Sequence, residues 1–421
     1  MDELNEQLNN YRKAKQKGRL QGILITVGVF LLVFICAFLW KTLYKTFLNG
    51  FTTGIFDGST KSDIITDEVE EKAGYIEKII DKYYLDEVDD VALRDGIYKG
   101  LISGLGDEYA AYYTKEEFSD MMEDTEGVFE GIGALLQMDT ENGALTVVRP
   151  LKDSPAERAG ILANDIIIEV DGENVVGQDI NVVVSKIKGP KGTEVNIGIL
   201  RADEPDTLYF DIVRDVVESV TVESEMLDND IGYLLITEFS DSTAGQFKKE
   251  LNSLDKQGMK GLVIDLRGNP GGNVDTAVEI ADEMLPEGIV VYTIDKDEKK
   301  DEYYSDPECY EIPCVILVND YTASAAEILS GAMKDYDKAV LMGTTTYGKG
   351  IVQTVLSLGD GTGMKVTSAK YYTPSGVNIH GVGIEPDIVV EWDYESYKED
   401  GEDNQLNEAA AYLEKELGIA K

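Results

Sequence analysis

The chain reads as an α/β core, built on a mixed sheet with helices, together with an inserted β-rich domain, a small N-terminal helical subdomain and one transmembrane helix. Three observations give this reading. Residues 22–40 form an uncharged apolar run long enough to cross a bilayer as a helix. Residues 126–217 are short apolar runs separated by turn dipeptides such as Asp171-Gly172. Residues 218–392 alternate strand-like and helix-like segments.

Composition sets the limits. The chain has 421 residues, 43% of them hydrophobic, with 23 tyrosines, enough for a folded protein with a sizeable core. Asp and Glu total 80 against 38 Lys and Arg, a net charge of −42. That balance excludes nucleic acid as a partner, because affinity for phosphates comes mainly from Lys and Arg. There is 1 histidine, His380, and no Cys or carboxylate spacing suited to a metal, so no metal site is expected.

The N-terminal elements follow in order. Residues 1–21 are a basic stub with Arg12, Lys13, Lys15, Lys17 and Arg19, which should stay in the cytoplasm. The span 22–40 ends at Trp40, and Tyr44 follows, both suited to the membrane interface. A cleaved signal peptide fits less well, since the run is long and no small-residue cleavage site follows it. Lipidation at Cys36 is disfavoured by Ile35 before it. Residues 41–65, with Gly50, Gly54 and Gly58, form a tether. Residues 66–125 show helical spacing at Val69, Ala73, Ile76 and Ile80.

In 126–217, strands at Val128–Gln137 and Ala144–Val148 precede a short helix at Ser154–Ile161 and a strand at Asp165–Val170. A helix over 178–187 and the turn Gly189-Pro190-Lys191-Gly192 lead into a last strand, Glu194–Leu200. This order resembles a PDZ domain. The resemblance implies that the loop Gly131-Ile132-Gly133-Ala134 offers backbone N–H groups to the terminal carboxylate of a peptide, which adds as a strand. Small residues there let the backbone approach a ligand.

In the core, strands are expected at Ile231–Thr237, Gly261–Leu266, Gly288–Ile294, Pro313–Asn319 and Ala339–Gly343, and helices at Asn273–Leu285 and Ala323–Tyr336. Residues 393–421 form an acidic tail ending in a helix at Gln405–Leu417. Cys309 and Cys314 are close enough in sequence to pair outside the cytoplasm, or to remain free thiols.

Three core segments have a composition suited to chemistry. Asp265-Leu266-Arg267-Gly268-Asn269-Pro270-Gly271-Gly272 is a strand entering a glycine-rich turn before a helix, which exposes N–H groups to an anion. Asn319 to Glu327 runs from a strand into a helix with small residues around Ser324. By local pattern alone Ser324 is better read as a helix N-cap. In Thr346-Tyr347-Gly348-Lys349-Gly350, a lysine between glycines enters an apolar strand.

Together these segments resemble the carboxy-terminal processing peptidases, or tail-specific proteases. Gly106-Asp107-Glu108-Tyr109, Tyr372-Thr373-Pro374-Ser375-Gly376 and Gly383-Ile384-Glu385-Pro386-Asp387 extend the likeness over nearly the whole exposed chain. The resemblance implies Ser324 as nucleophile, Lys349 as general base and Gln353 as the polar residue that positions the lysine. It places the oxyanion hole at Gly271 or Gly272 together with Ala325. It implies protein substrates with accessible C-termini, no cofactor, and catalysis on the outer side of the membrane, at a bacterial cell surface. Thr344 and Lys188 depart from the family's common Glu and Arg. Catalysis by His380 is not expected. A membrane-tethered PDZ scaffold with an inactive core is the alternative, and whether the chain forms a homo-oligomer is left open.

Overall fold

The structure is a computed structural model that describes residues 64–139, 143–202 and 204–419. The basic stub, the apolar run 22–40, Cys36 and the tether through residue 63 lie outside the described residues. Among the described residues no helix is long and apolar enough to cross a membrane. The chain divides into two compact units, Met1–Asp89 and Asp90–Lys421. In the first, the helix Asp67–Tyr83 starts at the N-cap Thr66, whose hydroxyl accepts from the Val69 amide, and buries none of its residues.

The second unit is built on a six-stranded sheet. Its order is Val222–Met226, Ile231–Ile236, Gly261–Asp265, Cys314–Val318, Val340–Gly343 and Ile388–Val389. The first pair is antiparallel and the others parallel, so the sheet is mixed, as the sequence predicts. Successive side chains of a strand point to opposite faces. Leu262 and Ile264 enter a core with Phe247, Ile280 and Ile328 from the helices Thr243–Lys256, Val274–Met284 and Ala325–Asp335. Val263 and Val315 pack on the other face against Ala409 and Leu413 of the helix Asn404–Glu416. Burial on both faces explains why Cys314–Val318 is apolar throughout.

Two expectations need correction. The strand Gly288–Asp295 is not in that sheet. It pairs with Lys300–Ser305 and Gly363–Tyr372 in a second, antiparallel sheet with Ile351–Ser357 and Ala111–Tyr113. The segment 66–125 is not purely helical either. Ala111–Tyr113 is a strand, with Tyr112 buried, and it registers against Gly363–Lys365. Its pairing partner lies far along the chain, beyond the reach of a local pattern.

The β-rich insert forms its own sheet, ordered Ala134–Met138, Leu145–Pro150, Ile166–Val170, Glu194–Leu200 and Leu208–Val213. The helix Ile180–Ile187 buries Val183 and Ile187 in its core with Val147 and Ile197. The chain enters and leaves through an antiparallel ribbon, Val128–Gly131 against Asp215–Glu218. Buried Arg214 beside it donates to the carbonyls of Lys186, Ile187 and Glu194 and shapes the turn at Gly189. Cys309 and Cys314 are both free thiols, and burial pushes the Cys314 thiol up to about 12.

Leu413 is fully buried between the C-terminal helix and the sheet. Leu413→Ala should lower the unfolding free energy of the whole chain by about 2–5 kcal/mol, read by denaturant titration. A loss below about 1 kcal/mol would mean that this helix is not part of the core.

Candidate active site

The site forms where two loops leave the carboxyl ends of adjacent parallel strands. After Gly261–Asp265 the chain turns through Arg267 to Gly272, and after Cys314–Val318 it turns through Asn319 to Ser324. Side chains join the two loops. Asn269 is fully buried; its Nδ2 donates to the Ile236 carbonyl at 2.8 Å, and its own carbonyl accepts from the Ala323 amide at 2.9 Å. Asn319 Oδ1 accepts from the Gly268 amide at 3.0 Å, and Thr322 Oγ1 donates to the Leu266 carbonyl at 2.8 Å.

Arg267 is pinned from the other side. Its guanidinium makes two-pronged contacts with Asp265 and Asp403, donates to Gln405 Oε1 at 2.9 Å, and lies 5.6 Å from the Trp392 ring centre. Arg267, Asp265, Asp403 and Gln405 are largely buried, so the planar fork is matched by acceptors. The acidic tail thereby holds the glycine-rich loop.

Gly271 lies against the serine. At φ +97° it adopts a left-handed conformation, and a Cβ there would sit 2.7 Å from Ser324 Cβ and 2.6 Å from the Ala323 carbonyl oxygen. Ser324 itself has φ 55° and ψ −118°, rare for a residue with a side chain. Ser324 is the N-cap of its helix, but an ordinary N-cap is extended, so the cap does not explain this backbone conformation. The Gly271 amide donates to Asn269 Oδ1 at 2.8 Å. The amides of Gly272 and of Ala325, the first residue of its helix, have no hydrogen-bond partner among the described residues.

Ser324, Lys349, Gln353, Gly271 and Gly272 line one cavity of about 510 Å³. Lys349 is half-buried and has no carboxylate within ion-pair distance among the described residues; its Nζ lies 4.9 Å over the Tyr109 ring. Burial holds the lysine below its ordinary pKa, and the neighbouring Lys365 lowers it further, against an opposing pull from Glu327. Gln353 Nε2 is buried and has no hydrogen-bond partner among the described residues. The Gly106–Tyr109 motif thus supplies the aromatic cover of the lysine.

Several cavity residues lie outside the sequence reading. Asp124 and Glu238 line it, and burial raises both carboxyls. Lys365 does so from the strand Gly363–Tyr372. Glu327, buried beside Ser324, is visible in the sequence only as the fourth member of a capping pattern. His380 is exposed, and its backbone and Cβ pack against Gly350.

The other predicted residues sit on the insert. Gly131 to Ala134 line a groove of about 190 Å³ between the edge strand Ala134–Met138 and the helix Ile180–Ile187. Phe129 and Lys188 flank it, and Lys188 Nζ bonds Glu123 at 2.9 Å.

A serine on a strained turn, a partly desolvated lysine and a separate peptide-sized groove define a serine peptidase with a PDZ domain. The family models agree: residues 230–390 match peptidase family S41 and residues 146–201 match a PDZ domain. The carboxy-terminal processing protease CtpA of Bacillus subtilis (strain 168) is 40% identical over 75% of this chain and 67% of its own length. CtpB of the same organism is 36% identical over 79% of this chain and 70% of its own. A solved photosystem II D1 C-terminal processing protease aligns at 28% identity over 77% of this chain and 87% of that one, with a TM-score of 0.44. The chain belongs to peptidase family S41, among the carboxy-terminal processing proteases.

Gly271→Ala should destabilise the chain by about 1–3 kcal/mol or more, from the left-handed backbone and the crowding at Ser324. At Gly245, an added Cβ meets nothing within 4 Å. Gly245→Ala in its helix should instead be neutral or stabilise by about 0.5–1 kcal/mol. Thermal melts of the two variants side by side test the contrast.

Proposed function

We propose that Ser324 is the nucleophile and Lys349 the general base of a peptide-bond hydrolysis that proceeds through an acyl-enzyme. The observation that carries this is one cavity holding a strained serine and a lysine with no carboxylate at ion-pair distance among the described residues. Only the neutral amine accepts a proton, and an unperturbed lysine loses its own near pH 10.4. Burial and Lys365 move Lys349 toward neutrality. The neutral amine takes the Ser324 hydroxyl proton as Oγ attacks the substrate carbonyl, then gives it to the leaving amine. The developing oxyanion is held by the amides of Gly272 and Ala325, since Gly271's is already bound to Asn269. Gln353 presents an amide to the lysine without adding charge. Water then hydrolyses the ester.

The PDZ groove receives a substrate C-terminus, its carboxylate at the amides around Gly131–Gly133 and its chain added to the edge strand Ala134–Met138. The apolar run 22–40 anchors the protein, and the basic stub keeps the catalytic unit outside the cytoplasm. The inactive-scaffold alternative leaves the strained serine without a purpose.

Ser324→Ala and Lys349→Ala should each lower kcat/KM on an unstructured protein substrate by about 10²–10⁴-fold or more. A wild-type rate in either variant sinks the assignment. The acid limb of kcat/KM should lie below the ordinary lysine pKa. Lys365→Met removes a repelling cation, so it should move that limb to higher pH; an unmoved limb would detach Lys365 from the base. A substrate peptide ending in a carboxamide should be bound more weakly than its free-acid twin, and the full chain should sediment with membranes until detergent is added. Equal binding of the two peptides, or a full chain that stays in solution, would refute the respective part of the proposal.

A further inference from the structure

Glu327 is fully buried, and carboxylates are rarely so unless paired. Among the described residues it has no ion-pair partner. Four donors surround it instead. Oε1 accepts from Thr346 Oγ1 at 2.6 Å and from the Gly348 amide at 2.8 Å. Oε2 accepts from the Ser324 amide at 2.9 Å and the Lys349 amide at 2.9 Å. Burial raises this carboxyl and the four bonds pull it back down; every partner donates, so the arrangement suits the ionised, acceptor-only form. The helix cap accounts for the Ser324 bond alone. The other three reach the loop that carries Lys349. Thr346 Oγ1 also accepts from the Ile384 amide at 2.7 Å, which ties in the late Gly383–Asp387 motif.

The consequence concerns geometry. Ser324 at φ 55° persists only where its surroundings over-determine it. One rigid carboxylate here grips that backbone with one oxygen and, with the same oxygen, the backbone of the lysine.

We propose that Glu327 is a positioning residue for the reaction: its buried carboxylate fixes the backbones of Ser324 and Lys349 at one separation, so that the base meets the nucleophile in register. This rests on the assignment of Ser324 and Lys349 above. With all four acceptor positions directed to backbone amides and Thr346, the carboxylate holds the lysine's main chain and not its amine. Around that amine stand Lys365 from the neighbouring strand, Glu327 from the helix and the Tyr109 ring, with Asp124 and Glu238 on the same cavity wall.

The test is Glu327→Gln in the full chain, which keeps the shape but turns an NH2 group toward two of the four donors. kcat should fall about 10–100-fold with KM changed less than about 2-fold, since small misplacements of reacting groups cost that much. Loss of the nearby charge should also move the acid limb of kcat/KM to lower pH, which a purely structural role would not do. An unchanged kcat overturns the proposal, as does an activity loss that follows the unfolded fraction with the limb unmoved. If Glu327→Gln does not fold, Thr346→Val, which removes one donor, decides: kcat should fall several-fold at constant KM, and an unchanged kcat again overturns it. Ser324→Ala and Lys349→Ala run in the same assay separate the two readings. Activity in those variants refutes the catalytic assignment, whereas their inactivity beside a fully active Glu327→Gln refutes the clamp alone.

Discussion

On the proposed assignment Lys349 must hold no proton, in a chain with 80 acidic residues, and that conflict organises the site. Any carboxylate placed against the Lys349 amine would hold the proton there. The cavity avoids this in two ways. It turns an aromatic ring and a second cation, Lys365, toward the amine. It also saturates the buried carboxylate of Glu327 with four donors of its own. The negative charge is thus put to use as a backbone anchor.

The parallel sheet makes this possible. Neighbouring strands end at the same level, so the loops after Asp265 and Val318 emerge side by side. Asn269, Asn319 and Thr322 then convert that adjacency into fixed geometry through short side-chain bonds. Core packing below the loops supplies rigidity: the helix Ala325–Asp335 is buried over most of its length. The second sheet brings Gln353 and Lys365 to the open side of the cavity.

Much of this is legible in sequence, but unevenly. Cys314–Val318 announces itself because a strand buried on both faces is apolar without alternation. Ser324 and Lys349 become visible through their motifs, since nothing in their spacing alone requires contact. The helix Thr243–Lys256 has a clear period at Phe247, Leu251 and Leu254, yet the sequence reading omits it. Other features depend on partners too distant for any local pattern. Ala111–Tyr113 is a strand only because Gly363–Lys365 lies beside it. Glu327 looks like a cap because three of its four bonds go to residues 19 to 22 positions away. The two sheets could not be told apart by strand propensity, which is silent about pairing.

The contact between Arg267 and Asp403 links residues 136 positions apart. A ribosome therefore releases the glycine-rich loop long before the acidic segment that holds it. Until that later segment has been made and has docked, Arg267 lacks half of its acceptors and the loop beside Ser324 lacks its outer support. The loop beside Ser324 is therefore fully tethered only once the last part of the chain has been made.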